Sequence, residues 1–274
     1  LYKTAKDGKW TIDKYASLTK DIWRDLNGNN ERDDDDLYGL TAQVTSYATP
    51  FIYSFGETTV KKDKDDMPVL AINEEKCAAI TEKIYNLLYN QHGTLPSNNW
   101  TLHRDTYMDG RAVFMNGVLT HAVRIFTDVE DDYGILPYPK WDENQSGYYT
   151  MSDGSSPLIA VPKTVKDTDF VGMITEAMAA ESYKQVTPVI YDIALKVRGA
   201  RDEESLEVID LATRSGVVDF GFVFGDYSMM GFFLSNLMET KKDNFASYYA
   251  SNKDKWEKRV NDIIETAESE GALG

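Results

Sequence analysis

Between residues 11 and 126 the chain changes hydrophobic period again and again, and that alternation restricts its fold more than any other feature. Ile12, Tyr15, Ala16, Thr19, Ile22 and Trp23 recur at helical spacing behind Thr11, a residue suited to capping, so a helix is predicted over 11–24. Residues 38–44 then read as extended. Cys77, Ile80, Ile84, Leu87 and Leu88 form a second helical stripe behind Asn73. DGRAVFMNG (109–117) reads as turn, strand and turn, and LTHAVRIF (119–126) as a short helix. YGILPYP (133–139) and PLIAVPK (157–163) read as strands stopped by proline, and KKDKDDMP (61–68) as a hairpin tip or loop. Helical patterns near 168–186, 203–215, 227–240 and 243–270 complete the chain. Helices alternating with short strands predict an α/β fold.

The stretch DLNGNNERDDDD (25–36) interrupts this pattern with charge. Asp25, Asn27, Asn29, Glu31, Asp33 and Asp36 stand at offsets 1, 3, 5, 7, 9 and 12 of a loop. Those offsets deliver oxygen ligands to calcium in helix-flanked loops. Asn30 takes the sixth position, where the backbone needs the left-handed region that Asn tolerates. LYGL (37–40) follows as a strand, so a paired helix–loop–helix sensor is not expected. Two readings stand: a structural calcium loop, or a plain acidic turn.

Composition removes several function classes. A net charge of −16 repels phosphate backbones, so nucleic acid is not an expected partner. No apolar run reaches the roughly 20 residues that span a bilayer. The single Cys77 lies on an apolar helical stripe and is expected to be buried. His92, His103 and His121 lack a metal-type pairing and are read as surface or helix-packing residues. There is no GxSxG elbow, phosphate-cradling glycine loop or CxxC pair. Carboxylates are too numerous for any pair to stand out as acid and base.

Aromatic residues instead gather where strands give way to loops. Tyr47, Phe51, Tyr53 and Phe55 follow the extended segment 38–44, and Trp100 follows a polar loop. Trp141, Tyr148 and Tyr149 occupy a long connection, while Phe224 and Tyr227 bracket Gly225-Asp226. Ligands of open α/β sheets bind outside the carboxyl ends of strands. Flat rings beside Asp, Asn and Gln suit a sugar, which offers C–H faces to stack on and hydroxyls to satisfy. About half of these rings are expected to do no more than pack beneath the loops.

An ordered set of motifs also resembles the extracellular solute-binding proteins of ABC importers, in the lipoprotein branch of Gram-positive bacteria. The set comprises KWTIDKYASLTKDI, DGRAVFMNG, DDYGILPYPKWDENQSGYYT, SSPLIAVPKTVKD and SYKQVTPVIYDIALKVRGARDEES. An acidic DLNGN-type loop before a YGL strand belongs to the same branch. The resemblance implies a two-lobed, periplasmic-binding-protein-like (type II) α/β fold with a carbohydrate or oligosaccharide in the interlobe cleft. It further implies delivery to a membrane permease, and an extracellular protein that is monomeric and lipid-anchored at its N-terminus. Members are longer and begin with a signal peptide, so the first lobe's opening strands are expected to be missing here. Residues 1–145 then belong mostly to the C-terminal lobe. Residues 146–200 form the crossover and part of the N-terminal lobe, and 201–274 return as helices to the C-terminal lobe. Gly117, Val118 and Leu119 match the turn that lines the cleft in sugar binders, and Tyr148, Tyr149 and Met151 match the crossover beside it. Tyr47, Phe51, Tyr53, Trp100 and Tyr227 complete the expected ligand set.

A non-catalytic receptor is therefore the leading reading. A secreted glycoside hydrolase with paired carboxylates, and an adhesion module stabilised by calcium, are the alternatives. Turnover of an oligosaccharide separates the first two, and a protein partner in place of a solute marks the third.

Overall fold

Capping by Thr11 and Asn73 starts two helices where the sequence predicts them, and the computed structural model shows what surrounds them. It describes residues 1–126, 129, 131–152, 159–189, 203–225 and 229–271. Helix α1 (Tyr2–Lys6) leads to α2 (Ile12–Thr19), where Thr11 Oγ1 accepts the Lys14 N–H. The helix expected over 11–24 stops at Thr19, because Trp23 and Arg24 form strand β1 (Trp23–Arg24), antiparallel to β2 (Leu37–Gln43). The reason is steric and lies far along the chain. The end of α2 presses on two glycines, and a Cβ on Gly39 or Gly93 would fall 2.4 or 1.9 Å from the Thr19 carbonyl oxygen. The chain leaves the helix there and pairs, with Gly39 donating its N–H to Ile22 O.

Short helices α3 (Val44–Tyr47) and α4 (Pro50–Ser54) precede a hairpin of β3 (Val60–Lys62) and β4 (Pro68–Leu70). The Asp63 carboxylate closes the hairpin by accepting the N–H groups of Asp65 and Met67. Asn73 Oδ1 then caps α5 (Glu74–Tyr89), which runs to β5 (Thr94–Ser97). Helix α6 (Leu102–Met108), β6 (Ala112–Met115) and α7 (Leu119–Arg124) follow. Strands β5 and β6 both pair with β2 in parallel, Leu40 facing Thr94 on one side and Phe114 on the other.

The segment 133–139, expected as a strand, forms none. Pro137 and Pro139 have no N–H to give a ladder. Side-chain and terminal bonds hold it instead: Trp10 Nε1 donates to Pro137 O, and Lys140 and Trp10 exchange one bond while Ile12 N donates to Lys140 O. Residues 159–163 likewise carry no strand, and 157 and 158 lie outside the described residues. A parallel pair joins β7 (Thr150–Met151) to β8 (Gly216–Val217). Helix α8 (Thr168–Glu181) continues through a π-helical turn to residue 189. Then come α9 (Glu203–Thr213), α10 (Phe220–Val223), a 3₁₀ turn at Met230–Phe232, α11 (Phe233–Glu239) and α12 (Phe245–Ser269). The fold is mixed α/β with small open sheets.

One core joins the first 150 residues to the last 70. Leu40, Phe51, Ile52, Ile80, Ile84 and Leu87 meet Phe233, Leu234, Leu237, Phe245 and Trp256, all of them buried. Helix α8 is the exception: none of its residues is buried.

A single carboxylate fastens the two parts. Asp219, buried, caps α10 through Phe222 N (3.0 Å) and accepts Thr59 N (2.8 Å), Thr59 Oγ1 (2.6 Å), Val60 N (3.4 Å) and Tyr53 Oη (3.4 Å). Removing an acceptor strands these donors without water to replace it. Asp219→Ala is expected to lower stability by about 3 kcal/mol in urea titration. A loss no larger than that of an exposed Asp→Ala control would show the hub to be dispensable.

Candidate functional site

The three parallel strands point the same way, with β2 between β5 and β6. The chain leaves β2 toward β5 on one side, then crosses back to place β6 on the other side of β2. Adjacent strands whose connections leave in opposite directions open a gap at their carboxyl ends. Here the segments that leave the carboxyl ends, and that would border such a gap, are 44–47 after β2, 98–101 after β5 and 116–119 after β6.

Polar side chains shape these ends. Gln43 Oε1 accepts Ser46 N and starts α3, which delivers Tyr47. Tyr15 Oη donates to Asn116 Oδ1 at 3.0 Å, anchoring the turn after β6 to α2. Asn99 Oδ1 accepts the Thr101 N–H at 2.9 Å and orders the loop that holds Trp100. Trp100 is 62 % exposed, with its ring free of the core.

Behind these ends lies a buried aromatic and imidazole group. The Tyr47 Oη and His121 Nε2 are 3.2 Å apart, and the His103 ring lies 5.3 Å from that of Tyr47 and 5.9 Å from that of His121. Burial first, then the neighbouring His121 and Arg104, push His103 down to about 4. Burial, followed by Arg104, also lowers His121. Both rings are therefore neutral at pH 7. Of the surface or helix-packing roles expected for these histidines, both take the packing one. Nothing local marks them as a pair, since only the return of β6 beside β2 brings α7 to α6.

The expected ligand set divides. Gly117, Leu119, Tyr47 and Trp100 all lie in segments that follow the carboxyl ends of the parallel strands. Gly117 sits under His121, and Leu119 packs on the small cluster of Ala122 and Ile209. Phe51 and Tyr53 are corrections to the expectation. Both are core residues, Phe51 against Phe55 and Tyr138, and Tyr53 with its hydroxyl donating to Asp219 and Gly231 O. Tyr148 is likewise buried, donating to Ala5 O at 2.9 Å and accepting from Trp10 N. Tyr149 is half-buried against Gly56, its hydroxyl 3.0 Å from Ser146 Oγ, and Met151 lies in β7. Trp141 has its faces occupied: Lys76 Nζ and Lys83 Nζ lie 3.6 and 4.6 Å from the ring centroid. Tyr227 lies outside the described residues.

The acidic loop folds as a set of short turns. Asp25 accepts Gly28 N (2.6 Å) and Asn30 N (2.8 Å), with Gly28 and Asn30 at φ of 75° and 59°. Asn27 and Asn29 accept the N–H groups of Asn29 and Glu31. Asp33 accepts Asp35 N and the amides of Asn27 and Asn29, which hold its carboxyl below the usual range. Asp36, wholly buried, accepts Trp23 Nε1, Leu26 N and Asp33 N. N–H donors thus occupy oxygens of five of the six expected ligands. Among the described residues no group of three or more His, Cys, Asp or Glu stands together to hold a metal. A cavity of about 350 Å³ lies near this loop, lined by Arg32, Tyr38, Leu88, Tyr89, Leu95 and Pro96. It runs along the β2–β5 pair, from Tyr38 to Pro96, which faces Ala42.

Comparison with models of protein families, with curated proteins and with solved structures found no match.

The turn after β6 is tightly limited. A Cβ on Gly117 would lie 2.7 Å from His121 Nδ1 and 2.9 Å from Met115 Cε. The Met can move, but the imidazole is held through Tyr47. Gly117→Ala is expected to cost about 1–3 kcal/mol of stability and shift the His121 NMR resonances. Unchanged His121 resonances would show that the ring is not confined.

Proposed function

We propose that this chain is the larger part of a solute-binding receptor of an ABC importer, with a two-lobed type II fold. It holds a carbohydrate or oligosaccharide outside the carboxyl ends of β2, β5 and β6 and catalyses nothing. The observation that supports the reading is the strand order: β2 lies between β5 and β6, so the segments carrying Tyr47, Trp100 and Asn116–Leu119 all follow the carboxyl ends of parallel strands. Exposed Trp100 offers a ring for stacking, and the exposed Asn98 and Asn99 beside it carry amide groups of the kind sugar hydroxyls require.

Helix α8 supports the second lobe. It has a polar side at Asp169 and Glu176 and a broad apolar side, on which Phe170, Met173 and Met178 are each more than half exposed, as is Tyr183 in the turn that follows. An apolar helix face is normally covered by another element. In this proposal it lies inside the N-terminal lobe, whose other strands come from polypeptide outside this sequence. The receptor acts outside the cell as a lipid-anchored monomer and hands its solute to the membrane permease as the lobes close.

Calorimetry of the full-length protein against a panel of oligosaccharides tests this. Saturable binding is expected, with Trp100→Ala weakening it about 5- to 10-fold, the equivalent of one stacked ring. Newly formed reducing ends during incubation would replace the receptor with a hydrolase.

We also propose that the loop at 25–36 takes a structural calcium ion. The left-handed backbone at Asn30 and the oxygen offsets favour it, while the Asn27 and Asn29 amides must first turn away from Asp33. Calcium is expected to raise the melting temperature relative to chelator by a few degrees, and Asp25→Ala to abolish the difference. Identical melting curves with calcium and with chelator would leave the acidic turn as the whole account.

A further inference from the structure

We propose that His103 and His121 form a proton-operated latch that holds α6, α7 and the 116–119 turn against the end of β2, and that mild acid opens it. His103 is 1 % exposed and neither ring nitrogen has a hydrogen-bond partner; His121 is 7 % exposed and its Nδ1 is also unpartnered. The neutral rings are tolerated because they pack: against Tyr47 from α3, against each other, and, for His121, against Phe126. A second proton would place a charge where acceptors are wanting.

The surroundings of the pair compensate such a charge only weakly, through Asp105, the smallest of the influences on His103. From α3 comes the Tyr47 hydroxyl, already beside His121 Nε2. From α6 come Arg104, a cation acting on both imidazoles, and Asp105, whose carboxylate lies 3.8 Å from Arg104 with its side chain 56 % exposed. Tyr107 of α6 and Tyr133 of the following segment reach Phe126, not the imidazoles, through their rings. Thr41 Oγ1 and Gln43 Nε2 in β2 and Thr106 Oγ1 in α6, buried and unpartnered, carry no charge to balance it. Paired buried histidines of this kind act as pH sensors when an adjoining element is only weakly held.

That condition is met by α7. It has six residues, no side-chain cap at Val118, and a satellite cluster of only two buried residues, Ala122 and Ile209, beneath it. The turn at 116–118 leads directly into this helix, so release of α7 also releases one wall of the crevice. Acid would thereby loosen the wall formed by Asn116–Leu119, independently of which ligand the crevice takes.

The sign follows from proton counting. A buried imidazole depressed from 6.5 to about 4 binds fewer protons closed than open between those values. Closure is at full strength above 6.5 and is lost as pH falls toward 4. His103 alone then raises the opening equilibrium on the order of a hundredfold from pH 7 to pH 4.

Hydrogen exchange of the full chain, corrected for the intrinsic pH dependence of exchange, tests the latch. Amides of 102–124 are expected to lose protection on the order of a hundredfold between pH 7 and 4, while α5 and α12 keep theirs. The doubly substituted H103Q/H121Q protein is expected to show a flat profile, and His103→Leu a reduced one. NMR of ring-labelled histidine in the unsubstituted protein gives an independent readout: His103 is expected to titrate together with the opening. Protection of 102–124 that ignores pH, a variant that keeps the original profile, or titration of His103 without opening would overturn the proposal.

Discussion

The buried Asp219 carboxylate is the tie on which the arrangement of this chain depends. It stands at the start of α10, where a free N–H demands an acceptor. It also reaches across sequence to Tyr53, Thr59 and Val60, whose donors face the same buried point. The neighbouring Thr49–Ser235 pair repeats the device on a smaller scale, with Thr49 N and Oγ1 both meeting Ser235 Oγ. Apolar burial supplies most of the driving force that brings α4, α5, α11 and α12 together, but it has no direction. These polar contacts have direction and select one register among the packings that burial alone would accept.

Everything at the crevice follows from a different constraint, the placement of β2 between β5 and β6. Had β6 added beside β5, Tyr47 and His121 would lie at separate edges. Its return past β2 stacks three connections at one end and packs the two imidazoles behind them. The same geometry links the two properties argued above. In the two proposals made above, the turn that would face a solute also sits on the buried His103–His121 pair, so grip and release would share one piece of backbone.

Much of this was legible locally. Thr11 and Asn73 cap the helices predicted from them, the hairpin forms around KKDKDDMP, and β2 and β6 fall on their extended runs. Asn30 adopts the left-handed backbone expected of its place in the acidic loop. Cys77 lies buried on its stripe. Other readings failed where a distant partner decided. Trp23 continued a helical period, yet a strand twelve or more residues away captured it once Thr19 met Gly39 and Gly93. Residues 133–139 had strand composition, but two prolines denied them a ladder and Trp10 took one of their carbonyls. Phe51, Tyr53 and Tyr148 had the composition of a sugar platform and became core, because Asp219, Gly231 and Ala5 provide buried partners for the tyrosine hydroxyls.

The sequence by itself determined the α/β class, the capped helix starts, the acidic loop and strands β2 and β6, whereas β5 (Thr94–Ser97) forms inside the run 91–100 that reads locally as a polar loop. The features it determined rest on spacing, capping and turn chemistry, all of which act within a few residues. Tertiary structure alone decided which aromatics were buried, that His103 would meet His121, and that α8 would stand uncovered. Such outcomes depend on which strand lies beside which and on what a ring or hydroxyl finds across the fold. Hydrophobic period reports that a face will be covered, and it carries no record of the partner that covers it.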